Sequence, residues 1–291
     1  MWNNKMSRQF YSVLGAFMNI VNQPNSSINP AKISNNRINN IGDALEGYVK
    51  DAIAGLLGRE SIENSVRDRV YSDAFSWLGN GSNPPDCIIK NGDAIEIKKV
   101  ESLKSDIALN SSHPRNKLYI DDTRVASGAK TAEKWKVKDI VYAIGTPDSS
   151  AELKRLWLIY GDCYSASRQV YEKLFTIIEK GVNSIPDTNF QKTNELGKVK
   201  KVDPLGITTM RIRGMWHIAN PSKIYGHLMD PTKTKQFYLL MRENKYQSFS
   251  QEERFEIENI KKIGYSNEVI EIRDPDNPAR LIKARIIKYE I

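Results

Sequence analysis

Apolar residues at Phe10, Val13, Leu14, Phe17, Met18 and Val21 recur at intervals of three and four, which predicts a helix with one packed face. Leu45, Tyr48, Val49, Ala52, Ile53 and Leu56 repeat that spacing behind Asp43, so a second helix is expected, capped by the aspartate and ending near Leu57. Further on the period shortens. Cys87-Ile88-Ile89, Ala94 to Val100, Asp139 to Gly145 and Leu156 to Gly161 are short apolar runs that read as strands, the last two closed by glycine. Helical spacing returns at Val170, Leu174, Ile177 and Ile178, between a serine cap and Gly181.

Beyond Val182 the composition turns to Asn, Thr, Pro and Lys as far as Pro204, which marks a loop or domain edge. Ile207 to Ile218 alternates like one strand, with Arg211, Arg213 and His217 on one face and Met210, Ile212 and Trp216 on the other. Phe237 to Met241, Glu268 to Arg273 and Leu281 to Ile291 complete the strands, the last two joined by a proline-rich turn. The expectation is an α/β fold with a mixed central sheet flanked by helices and a strand-rich C-terminal extension. Its parts are an N-terminal helix and arm (1–40), a core (41–183) and a C-terminal region (184–291) packed on that core.

Asn91-Gly92 is a tight-turn signal between two of the strands. Folding there returns Asp86 to the side of Glu96, while alternation puts Glu96 and Lys98 on one face and Ile95 and Ile97 on the other. Two carboxylates held together invite a hard divalent cation, most plausibly Mg²⁺, with Asp86 and Glu96 as its ligands. A metal bridged by these acids with Lys98 alongside suits phosphodiester hydrolysis. A solvated Glu96–Lys98 pair on a surface hairpin is the plain alternative.

Composition narrows the field. The chain has 291 residues, 40% hydrophobic and 27% charged, and a formal charge of +8, which favours a polyanionic partner. No apolar stretch approaches the roughly eighteen residues of a spanning helix, so no membrane partner is expected. Cys87 and Cys163 are too few for a disulfide framework and suggest a reducing, cytoplasmic setting. Three scattered histidines argue against zinc.

Pro85-Asp86, nine intervening residues and Glu96-Ile97-Lys98 resemble the PD-(D/E)xK nuclease superfamily. Asn83-Pro84-Pro85-Asp86, Gly92 to Lys99 and Asp106-Ile107-Ala108-Leu109-Asn110-Ser111-Ser112-His113-Pro114 are similar to the NgoPII group of type II restriction endonucleases. The resemblance implies a PD-(D/E)xK core and a Mg²⁺-dependent, homodimeric endonuclease cutting double-stranded DNA at the palindrome GGCC, paired with a cognate DNA methyltransferase. It also implies a further glutamate on the preceding helix reaching the catalytic site, for which Glu46 is the candidate; a partnership with Lys50 one turn on is equally compatible with the sequence. Another PD-(D/E)xK nuclease, acting in repair or junction resolution, and a non-catalytic DNA-binding protein on the same fold are the competing readings.

Residue types suited to phosphates and base edges follow the motif: Asn110, Ser111, Ser112, His113, Arg115 and Lys117, which otherwise read as a polar surface loop. Lys134 belongs to a basic stretch around Trp135 that fits either the phosphate backbone or a solvated helix face. Lys32 and Arg37 in the N-terminal arm, and Lys198, Lys200 and Lys201, are further phosphate candidates. Arg211 and Arg213 lead for base contacts, since arginine fits guanine O6 and N7; surface arginines on an edge strand are the alternative.

Overall fold

The alternation along the apolar strands becomes two cores on opposite faces of one sheet. The computed structural model describes residues 9–24, 26–28, 37–59, 61–81, 83–186, 190–191 and 195–291. The chain runs through helices α1 (Val13–Asn22), α2 (Arg37–Ala54) and α3 (Asn64–Ala74) into strands β1 (Phe75–Trp77), β2 (Cys87–Ile89), β3 (Ala94–Lys99), β4 (Ile107–Asn110) and β5 (Lys117–Tyr119). A short α4 (Ser127–Thr131) leads to β6 (Val137–Pro147) and β7 (Leu153–Tyr160), then α5 (Gly161–Tyr164) and α6 (Arg168–Asn183). After β8 (Gly197–Lys200), β9 (Thr209–Ile212), β10 (Trp216–Ile218) and α7 (Pro221–Ile224), the chain closes with β11 (Gln236–Arg242), α8 (Glu243–Ser248), α9 (Gln251–Glu258), β12 (Tyr265–Asp274) and β13 (Asn277–Glu290).

Among these residues the main sheet has the order β1-β2-β3-β6-β7-β11-β13-β12, with β5 pairing along β6. It is mixed: β3 runs parallel to β6 and β11 parallel to β7, while the other pairs are antiparallel. On β3, Ile95 and Ile97 face the core built with α1 and α2, where Phe17, Leu14, Leu45 and Ile53 are fully buried. Tyr142, Ile144, Trp157 and Tyr238 face the other way. Glu96 and Lys98, offset by one residue from the isoleucines, therefore stand on that second face, opposite Tyr142 and Ile144 of β6.

Several expectations change in detail. Asp43 does not cap α2; the helix begins at Arg37 and carries Asp43 in its body, because an acid favours a cap without compelling one. Lys32 of the expected arm lies outside the described residues. The alternating stretch 207–218 is two strands rather than one: β9 pairs with β8, whereas β10 leaves at Gly214 to pair with β4. The C-terminal strands β11, β12 and β13 continue the main sheet, so the expected boundary at 184 does not divide it. Helix α6 passes Gly181, and its stripe of Val170, Leu174, Ile177 and Ile178 is exposed.

Phe17 contributes its whole ring to the α1–α2–sheet core. Phe17→Ala is expected to lower the free energy of unfolding by about 3–5 kcal/mol in urea titration; a loss below about 1 kcal/mol would show that this core is not closely packed.

Candidate active site

Backbone pairing builds the site. Cys87 faces Ile95 in the β2–β3 hairpin, and the amide of Asp86 donates to the carbonyl of Ile95 at 3.0 Å. The amide of Ile97 donates in turn to Asp86 Oδ2 at 2.6 Å, which lays that carboxylate across β3 beside Glu96. The preceding loop is fixed as well: the indole N–H of Trp77 donates to the Pro85 carbonyl at 3.1 Å. Gly79, at φ +87°, approaches so closely that a Cβ there would lie 2.6 Å from the Asp86 carbonyl oxygen, so no larger residue fits.

Lys98 Nζ lies 2.6 Å from Glu96 Oε1. Glu96 Oε2 is buried and accepts no hydrogen bond. Burial, reinforced by the Glu96 carboxylate, pushes Asp86 up to about 7. Burial opposes the charge on Lys98 too, but Glu96 and Asp86 together outweigh it and raise its pKa, keeping it an ammonium. Excess negative charge, one orphaned oxygen and two acids at one spot are what a divalent cation neutralises. Among the described residues no group of three or more His, Cys, Asp or Glu side chains is placed to hold a metal. Mg²⁺, which keeps several waters and uses one or two carboxylates, needs no more than Asp86 and Glu96.

Asp86, Glu96 and Lys98 open into a cleft of about 450 Å³. Asn110, Ser111, Ser112, His113, Arg115 and Arg213 line the same cleft, so the two stretches singled out in the sequence do meet. Their states differ from those expected. The buried Arg115 guanidinium is held by Asp122 at 2.8 Å, and His113, its pKa lowered by burial, stacks on Tyr171 with Nδ1 2.8 Å from the Pro114 carbonyl. Lys117 lies outside the cleft lining, between Asp139 and Asp162. Lys134 is exposed and also outside it. Arg211 and Arg213 are both exposed, and both bond to Glu195, Arg211 through Nε and Nη2 at 2.8 and 2.7 Å and Arg213 through Nε at 2.6 Å. Glu46 meets Lys50 Nζ at 2.5 Å, the partner reading, although its charge still helps raise Asp86.

Tyr142, Arg124 and Glu195 also line the cleft and were not anticipated. Tyr142 sits in a strand whose apolar run signals only burial. Arg124 and Glu195 lie in loops with no periodicity to place them.

The profile described as NgoPII restriction endonuclease matches residues 11–274. This chain belongs to the NgoPII restriction endonuclease family. It is 40% identical over 282 residues to the type II restriction enzyme NgoPII of Neisseria gonorrhoeae, covering 96% of this chain and all of that protein. No solved structure matches it. The NgoPII family match runs from α1 to the end of β12, so the β2–β3 hairpin, β11 and β12 fall within it and β13 follows it.

Asp86 holds its proton more tightly when folded than at the ordinary aspartate value of 3.8, so stability declines as pH rises from there through about 7. Acids held low, such as Asp122 and Asp139, lose their contribution only below that window. In divalent-free buffer the chain is expected to melt at a lower temperature at about pH 8 than at about pH 5.5, with Asp86→Asn removing most of the difference. An undiminished difference in the variant would assign the response to other groups.

Proposed function

We propose that this type II restriction endonuclease hydrolyses double-stranded DNA with Mg²⁺ held by Asp86 and Glu96, on a PD-(D/E)xK core. The observation that carries the reading is Asp86, held across β3 by the Ile97 amide, beside the Glu96–Lys98 pair, in a cleft also lined by Arg124 and Arg213. Held by Asp86 and Glu96, Mg²⁺ would supply Lewis-acid polarisation of the scissile phosphate and a lowered pKa for the attacking water. Lys98, beside Glu96 and Asp86, stabilises negative charge developing on the phosphoryl oxygens or orients the attacking water. Asp86 and Glu96 hold position, and Trp77 and Gly79 support the loop that delivers Asp86. Glu46, paired with Lys50, acts on this site through its field.

Arg211 and Arg213 read bases in the target, GGCC by family resemblance, once Glu195 releases or reorients their forks. Asn110, Ser111 and Ser112, on the segment paired with β10, contact the backbone or base edges beside them. A palindrome requires two sites related by a two-fold axis, so the working form is a homodimer; the exposed apolar stripe of α6 supports such a contact. A cognate methyltransferase protects the host DNA in the same cytoplasm. Among the described residues no helix is long and apolar enough to cross a membrane.

Asp86→Ala and Glu96→Ala are each expected to abolish cleavage of plasmid DNA in Mg²⁺ while retaining duplex binding in Ca²⁺. Near wild-type cutting by either variant would remove the cation from this hairpin. Arg211→Ala and Arg213→Ala are expected to cost about 1–3 kcal/mol of discrimination against single-base variants of the target. An equal loss on every sequence would make them phosphate contacts.

A further inference from the structure

The β8–β9 hairpin has a composition that the site described so far does not use. Lys198 pairs with Arg211 and Lys200 with Thr209, so Lys198, Lys200 and Arg211 share one face of the ribbon. Arg213, two residues beyond Arg211, lines the catalytic cleft. The ribbon's other face carries Val199, Met210 and Ile212. At its far end Leu205 and Ile207 are 82% and 79% exposed.

That exposure is built into the turn. Asp203-Pro204-Leu205-Gly206 has the residues of a tight turn, and the Gly206 amide donates to the Asp203 carbonyl at 2.8 Å. The Thr208 amide donates to Asp203 Oδ2 at 2.6 Å, and the Val202 amide to the Thr208 carbonyl at 3.1 Å. Two branched aliphatic side chains are thus held in water on an ordered turn, which costs hydration free energy unless something covers them.

We propose that the β8–β9 ribbon enters a groove of the bound duplex and that Leu205 and Ile207 press against the base stack there as an apolar wedge. The charge of the flanks selects this occupant. Lys198, Lys200 and Lys201 lead to the tip, an arrangement that a polyanion satisfies and a second copy of the same cationic ribbon does not. A two-stranded ribbon can lie in either groove, and aliphatic wedges that part base steps from the minor groove are an established way to grip and bend DNA. From Arg213 to Ile207 is six residues, on the order of 20 Å of extended chain. The tip therefore meets the duplex about half a helical turn from the reacting phosphate. The inference rests on the nuclease reading above and adds a second anchoring point to it.

The test uses the full-length chain carrying Leu205→Ser and Ile207→Ser together, substitutions at exposed positions that leave the core untouched. Target duplexes with 2-aminopurine at successive positions in and beside the site are bound in Ca²⁺, and cleavage is measured in Mg²⁺. The wild-type chain is expected to brighten the probe at one step, and the double variant at none. The variant is also expected to bind about tenfold more weakly with an unchanged salt dependence, because no phosphate contact is lost. Wild-type affinity and probe response in the double variant would overturn the wedge, as would a fall in solution mass on substitution, which would identify a second copy at the tip. Failure of the wild-type chain to cut any duplex would instead remove the nuclease reading itself, whereas normal cutting by both chains sinks only the tip.

Discussion

One hydrogen bond across a hairpin, from the Ile97 amide to Asp86 Oδ2, sets two carboxylates side by side where neither is well hydrated. The rest of the structure makes that arrangement tolerable. Ile95 and Ile97 anchor β3 in the core under α1 and α2, so the strand cannot turn its charged face away without exposing them. Trp77 and the close approach at Gly79 fix the loop before Asp86. Lys98 offsets part of the negative charge, and the remainder is met by a proton on Asp86 or, in the proposed function, by a divalent cation. A site that is electrostatically unfavourable when empty is favourable as a metal site for the same reason.

The cleft has two walls of different origin. One wall is the rigid end of β3 and β6, strands within the main sheet. The other comes from β4 and from the chain around β9 and β10, which belong to small two-stranded sheets of their own. β10 pairs with β4, so the wall bearing Asn110 is tied by backbone bonds to the segment that carries Arg213. Glu195 joins Arg211 to Arg213, so both guanidinium groups are engaged by one carboxylate in this structure. Type II cleavage at a defined sequence requires such coupling between the group that reads and the group that cuts.

What was legible in the sequence was local. Asn91-Gly92 marked the hairpin, and the meeting of Asp86, Glu96 and Lys98 lies within a dozen residues of chain, although the loop is Lys90-Asn91-Gly92 and sets Cys87 against Ile95. The apolar runs of β6 and β7 were legible because burial on both faces leaves no polar alternation. Pairings between distant segments were not. Nothing near Gln236 says that β11 lies parallel to β7, and the alternation through Gly214 conceals a change of partner from β8 to β4. Side-chain occupancy was equally hidden. Arg115 has the composition of a phosphate contact, but Asp122 claims it, and Lys117 is claimed by two aspartates from different elements.

The account stands on cation capture by the hairpin, and counting bound Mn²⁺ by electron paramagnetic resonance, with duplex target present, measures it directly. Wild-type chain is predicted to bind Mn²⁺ in competition with Mg²⁺, whereas Asp86→Asn and Glu96→Gln hold the duplex but no detectable Mn²⁺ at that site. Undiminished Mn²⁺ binding by both variants would contradict the account.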